Sequence, residues 1–169
     1  MPGIMTNSGP VAGRFQGVNA SDHAALWDQL WREKHTPWSR GLASPALVEL
    51  LSRPDCALFS DVKPRRVLIP GAGEGHDAFE FVELWEKYGI VEVVSLDISQ
   101  TAIDAAKQIQ RRELHEPSQQ AQVTFVLGDF FDESAEWGKT RFDVIYDYTV
   151  SLALACLLHA SFSVLWIQE

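Results

Sequence analysis

Cysteine is nearly absent: Cys56 and Cys156 are the only two in 169 residues. Two thiols in segments that read as helical or buried make neither a disulfide framework nor a zinc knuckle, and they suit a reducing compartment, here expected to be the cytoplasm. Positive charge is scarce as well. With 14 Lys and Arg against 23 Asp and Glu, the net charge is -9, which works against a nucleic-acid partner, since phosphate backbones demand clustered cations. The five histidines, His23, His35, His76, His115 and His159, are scattered without metal-ligand spacing, so no metal site is expected. No Ser-His-Asp or Cys-His pairing can be built, and there is no internal repeat. The first residues lack the basic start and the apolar run of about 7 to 15 residues that mark a secretory signal. Only one stretch invites a membrane reading: Thr149 to Ile167 carries no charge apart from a possible His159 proton. Ser151, His159, Ser161 and Ser163 dilute it and no basic cluster flanks it, which favours a core helix followed by the start of a strand.

What is present is an ordinary globular composition, 46% apolar and 22% charged. A chain of this size buries roughly 70% of its unfolded surface without disulfides or metals, so one domain is expected. Residues 1–20, rich in glycine and poor in large apolar groups, read as a flexible arm, with the domain over 21–169. Ser21 is a candidate cap for a helix whose Ala24, Trp27, Leu30 and Trp31 form one apolar stripe, and Trp38 follows beyond it. Ser44 and Pro45 open a second helix with Leu47, Leu50 and Leu51 on its buried face, ending near Pro54. After this, β-rich runs alternate with helical patterns, the signature of βαβ units in a parallel sheet. Strands are expected at Val67 to Ile69, Ile90 to Leu96, Val123 to Leu127 and Phe142 to Tyr146. Helices are expected from Phe79 to about Gly89 and, capped by Ser99, through Ala102, Ile103, Ala106 and Ile109 to before Pro117.

The sharpest motif is the strand, turn and helix start Val67-Leu68-Ile69-Pro70-Gly71-Ala72-Gly73-Glu74-Gly75-His76-Asp77. Glycines allow a tight turn close to a ligand, and a helix start presents free N–H groups. Asp97, 26 residues after Gly71 at the end of the second strand, is placed to accept both hydroxyls of a ribose. The third glycine comes two residues after the second, not three as in dinucleotide sites, and Glu74 and Asp77 would repel a diphosphate. Two carboxylates tolerate a sulfonium and an amino group, which S-adenosylmethionine carries. Asp129 with Phe130 and Phe131, after the third strand, is a candidate adenine site. Tyr146-Asp147-Tyr148 ends the fourth strand on the same edge.

Trp27, Trp31, Pro37-Trp38, the 67–75 loop, Leu96-Asp97-Ile98-Ser99, Gly128-Asp129-Phe130-Phe131 and Phe142 to Thr149 together resemble the thiopurine methyltransferase superfamily, and within it the thiol and halide methyltransferase branch of plants and fungi. The resemblance runs from about Trp27 to Thr149. It implies an α/β, Rossmann-like class I methyltransferase fold that uses S-adenosylmethionine. By that likeness Trp27, Trp31 and Trp38 close over the cofactor, Gly71 and Gly73 meet its amino-acid part, Asp97 its ribose, and Asp129 with Phe130 its adenine. Tyr148 sits near the transferring methyl. The family usually carries Cys or Gly at Ala72 and a bulkier aromatic at His76. Beyond Thr149 it continues through a polar segment into a further helix and three more strands, whereas Val150 to Glu169 is apolar. About four parallel strands are therefore expected, with the C-terminal strands missing and the edge of the fourth left open.

The implied reaction is in-line attack on the sulfonium methyl by a small thiol, hydrosulfide or halide, with Asp147 or Tyr148 as a possible helper for a neutral thiol. A catalytically silent cofactor-binding fragment is the second reading, and a nicotinamide-dependent oxidoreductase, disfavoured by the glycine spacing, the third. A monomer or weak self-association is expected.

Overall fold

A computed structural model describes residues 10–53, 63–83, 89–116, 122–132, 139, 141–148, 150 and 164–167. Its centre is a five-stranded sheet of order β3-β2-β1-β4-β5, formed by β1 (Arg65–Pro70), β2 (Ile90–Asp97), β3 (Val123–Leu127), β4 (Val144–Asp147) and β5 (Val164–Ile167). The first four are parallel, as the near-continuous apolar runs require. The order reverses at β1, whose neighbours are β2 and β4. That makes the carboxyl ends of these strands the topological switch point, where a ligand crevice opens.

Alternation along the strands sorts side chains to two faces. Val67 and Ile69 of β1, Val93 of β2 and Val144 and Tyr146 of β4 join one large core with Leu47, Leu51, Phe79, Phe81, Val82, Ile103, Ala106 and Ile109. Leu68, Val94 and Leu96 point the other way, into a smaller cluster with Phe142. The helices α3 (Pro45–Ser52), α4 (His76–Glu83) and α5 (Gln100–Glu113) therefore share the first face. The β1 register is pinned at its start. Arg66 lies opposite Glu92 and forms an ion pair with it, it exchanges backbone and side-chain hydrogen bonds with Asp143 at 2.9 Å, and its guanidinium sits 5.3 Å from the Phe142 ring centre.

Ser99 caps α5 as expected, its Oγ accepting from the Ala102 N–H at 3.1 Å. Four expectations are corrected. Ser21 is not a cap: a 3-10 turn over Ala20–Asp22 precedes α2 (His23–Arg32), and Ser21 lies inside it. Ser44 stands at the N-cap of α3 but makes no side-chain cap bond, because its Oγ is buried without a partner while its N–H is drawn to Asp77. The arm over 1–20 is structured in its second half. There Pro10–Arg14 forms α1, and Phe15 is buried with its ring 4.7 Å from that of Trp27, since a large aromatic gains by leaving water. The edge of β4, finally, is not open. Val164–Ile167, rich in β-branched and aromatic residues, pairs with it antiparallel, Val144 opposite Ile167 and Asp147 opposite Val164. The expected end of the α4 helix near Gly89, both cysteines and most of the apolar run at 149–167 lie outside the described residues. Among those residues no helix is long and apolar enough to cross a membrane.

Candidate active site

The β1–α4 connection turns on Gly71 (φ 60°), Gly73 (φ 54°) and Gly75 (φ 79°), all in the left-handed region that favours glycine. Two of these positions are also sterically closed. A Cβ on Gly73 would lie 3.2 Å from Cζ2 of Trp31, and one on Gly75 would lie 2.7 Å from Cε1 of Phe125. The first glycine contact faces the crevice and the second the core.

Asp97 closes β2 and is 7% exposed. Its Oδ2 accepts from the Gly73 N–H at 2.8 Å and its Oδ1 from the Ser99 N–H at 2.9 Å. One carboxylate thus ties the glycine turn to the start of α5, and the Ile98 N–H bonds to it as well. Burial pushes the Asp97 carboxyl above the ordinary carboxylate range, against the pull of the Ser99 and Gly73 N–H groups. The Gly128 N–H donates to the Asp97 carbonyl at 2.9 Å, bringing the end of β3 alongside.

Trp27, Trp31 and Trp38 form one aromatic wall. The Trp27 and Trp38 rings meet edge-on at 5.3 Å and those of Trp31 and Trp38 at 6.1 Å. Chain direction makes this possible: Lys34, at φ 54°, ends α2 while the Lys34 and His35 N–H groups donate to the carbonyls of Trp31 and Leu30, and the reversal returns Trp38 to its helix partners. The structure therefore links Asp97 to Gly73 and Gly73 to Trp31, with Trp38 packed against both Trp31 and Trp27. Asp129 and Phe130 stand at the end of β3. Asp129 is exposed and its Oδ1 accepts from the Phe131 N–H at 2.9 Å, so it shapes its own turn. Phe130 packs on the smaller core cluster and meets the exposed Phe131 at 5.1 Å. Asp147 and Tyr148 end β4, across β1 from Asp97. Asp147 is buried and its Oδ1 accepts from the Val150 N–H, whereas Tyr148 is 41% exposed. Tyr146 faces the core against Phe81 at 6.0 Å, and burial pushes its phenol up to about 12, which keeps it protonated.

Four hydrogen bonds, two to Asp28 and one each to Glu74 and Asp77, have no counterpart in local sequence signals. Asp28 Oδ1 accepts from Ser99 Oγ and from the Thr101 N–H, both at 2.8 Å, and Asp28 pairs with Arg32 at 3.1 Å. Burial raises the Asp28 carboxyl, but these bonds outweigh it and hold it below the usual range. Ser39 Oγ donates to Glu74, and the Ser44 N–H donates to Asp77 Oδ1 at 2.6 Å. The two loop carboxylates thus bind the 39–44 segment directly. Their charges still leave the glycine turn acidic, with only His76 beside Glu74 at 3.8 Å.

Comparison with known proteins agrees with this layout. Thiocyanate methyltransferase 1 of Brassica oleracea is 35% identical over 130 residues, 76% of this chain and 49% of that protein. Probable thiol methyltransferase 2 of Arabidopsis thaliana is 26% identical over 92% of this chain and 59% of its own length. The chain spans about half the length of these curated relatives. A solved structure described under the conversion of a disulfide bond into a thioacetal group during echinomycin biosynthesis superposes with a TM-score of 0.58, at 26% identity, covering 77% of this chain and 47% of that one. The sequence model of the thiopurine S-methyltransferase (TPMT) family matches residues 22–164, and with the Rossmann-like sheet and the crevice at its switch point the chain belongs to that family.

Proposed function

We propose that this chain binds S-adenosylmethionine in the Asp97 crevice and transfers its methyl group to a small thiol, hydrosulfide or halide. The observation that carries the reading is Asp97: a buried carboxylate at the switch point, fixed by two backbone N–H groups and walled by Trp31. The family match and the thiocyanate and thiol acceptors in the relatives' names support it.

The residues present fit that cofactor. A side chain at Gly73 would press on the Trp31 ring, 3.2 Å from its Cζ2, so glycine there keeps the loop close to the wall, and an acidic turn with no Lys or Arg in it suits a sulfonium and an ammonium. When bound, the cofactor supplies an electrophilic methyl group. Asp97 would hold the ribose through its carboxylate, Gly71 and Gly73 would leave backbone close to the amino-acid part, and Asp129 with Phe130 would border the adenine. Trp27, Trp31 and Trp38 would exclude water, which strengthens the electrostatics of the closed site. Asp147 would accept the proton of a neutral thiol, with the exposed Tyr148 beside the acceptor. A soft anion needs no base.

Calorimetric titration of the chain with S-adenosylhomocysteine, beside NAD and an Asp97→Ala variant, tests the first half. Saturable binding of the first ligand alone, weakened by the substitution, is expected; no binding by folded protein refutes it. Turnover with thiols and iodide tests the second, and an unchanged rate in Asp147→Asn would remove the carboxylate from the mechanism.

A further inference from the structure

Asp28 sits on α2 between Trp27 and Trp31, yet its bonds run to the opposite side of the crevice. Through Ser99 they reach Asp97, through Asp97 they reach Gly73, and Gly73 lies against Trp31, whose Cζ2 is 3.2 Å and Cη2 3.4 Å from its Cβ direction. The path closes on itself: from α2 to the start of α5, to the end of β2, to the glycine turn, and back to α2. Each link is short, and all but the one between Ser99 and Asp97 join segments far apart in sequence. Ser99 serves two links at once, its N–H on Asp97 and its Oγ–H on Asp28. Arg32 adds an ion pair that restrains the Asp28 carboxylate from its own helix.

The geometry points to Asp28 as a positioning residue of the cofactor site, which clamps the tryptophan wall at a fixed distance from Asp97 and Gly73 so that occupancy of the ribose carboxylate and placement of Trp31 are one event. The inference rests on the cofactor reading above. A helix wall held only by packing could shift by a fraction of an ångström, and small misplacements in a site weaken binding and chemistry disproportionately. Both bonds land on the same oxygen, Oδ1, so an amide in place of the carboxylate keeps an acceptor for them and loses the charge together with the Arg32 ion pair made through Oδ2.

The test compares Asp28→Ala and Asp28→Asn with the wild-type chain, reading S-adenosylhomocysteine affinity by calorimetry, the binding-induced change in tryptophan emission, and Tm. Asp28→Ala is expected to bind about tenfold more weakly and to lose most of the emission change. Asp28→Asn is expected to restore both to within about threefold of wild type, since two hydrogen bonds to a retained acceptor differ little from the parent pair. A merely structural role would lower Tm and leave the affinity of the folded fraction unchanged, and that result overturns the proposal. If Asp28→Ala does not fold, Ser99→Ala removes the Oγ bond to Asp28, along with the α5 cap on Ala102, and leaves the Thr101 N–H on Asp28 and the Ser99 N–H on Asp97; wild-type affinity there overturns the Ser99 link of the clamp. A wild-type chain that binds no S-adenosylhomocysteine refutes the cofactor reading instead. The clamp is then read without ligand, as amide exchange that rises together in residues 27–32 and 71–75 of Asp28→Ala. A rise confined to 27–32 overturns it.

Discussion

Gly75 and Gly73 share a positive φ and differ in what lies beyond the missing Cβ, so alanine at each separates core from site. At Gly75 the left-handed backbone costs an L-residue about 1 to 2 kcal/mol, partly offset by about 0.4 to 1 kcal/mol from a stiffer unfolded chain. The new methyl would stand 2.7 Å and 3.0 Å from two Phe125 ring atoms and 3.5 Å from Ala106 Cβ. Phe125 is buried in the main core with the Phe79 ring 6.3 Å away, so it cannot swing aside without moving α4, and overpacking of this kind costs about 1 to 3 kcal/mol. Gly75→Ala is therefore expected to lose about 2 to 4 kcal/mol, measured as a shift in the urea midpoint at unchanged slope, or about 5 to 15 °C in Tm for a chain of this size. Gly73→Ala carries the same backbone term, but the Trp31 ring it pushes against borders a crevice and can give way. Its stability loss should be only about 1 kcal/mol, with the damage falling on S-adenosylhomocysteine affinity. The reasoning also requires coupling: in a Phe125→Leu background the Gly75→Ala cost should shrink by at least about 1 kcal/mol. A Gly75→Ala chain within about 1 kcal/mol of wild type, or a cost unchanged by Phe125→Leu, would refute it.

Three further outcomes follow from described contacts. Lys34→Gly should stabilise the chain by about 0.5 to 1 kcal/mol, because φ 54° at the end of α2 strains a lysine; a urea midpoint that falls would contradict this. Burial raises the Asp77 carboxyl despite the Ser44 N–H and His76, so its contribution is present at low pH and is lost as pH rises through the raised value. Asp77→Asn, which keeps an acceptor for Ser44, should thus have a higher Tm than wild type at pH 7, with the gap closing as the pH falls from the raised value to 3.8 and staying closed below it. Asp97 is raised as well, and its protonated form would turn one oxygen from acceptor to donor against two N–H groups. Calorimetric titration with S-adenosylhomocysteine should show affinity falling on acidification at pH values where an ordinary aspartate is still ionised; affinity that stays flat down to about pH 4 speaks against Asp97 as the ribose acceptor.

Much of the sheet is legible in the sequence because its signals are local. Val123 to Leu127 is a strand bounded as expected, the glycine turn lies where strand gives way to helix, and the Ser99 cap is read from one residue and its neighbours. The tryptophans were recognisable as a group through family likeness, while their mutual packing depends on the Lys34 reversal, which no residue type at that position announces. Asp28 was illegible for a plain reason: on a helical wheel it is an ordinary polar residue, and its partners lie 71 and 73 positions away. Glu74 and Asp77 were read as charges facing a ligand, whereas their hydrogen-bond partners are Ser39 and Ser44, again distant in sequence. The run ending at Ile167 reads as a helix followed by the start of a strand, and Val164–Ile167 is that strand; an apolar run without a clear period does not specify the strand's direction.

Strand direction has a practical consequence at β5. Because it runs antiparallel, Val164 lies beside Asp147 at the crevice end of the sheet while Ile167 lies beside Val144 at the opposite end. The backbone therefore leaves β5 heading away from Trp31 and Asp97. A surface tether or fluorescent label at the end of the sheet where Ile167 pairs with Val144 would sit on its floor, so the protein could be immobilised for ligand-binding measurements with its mouth facing the solvent.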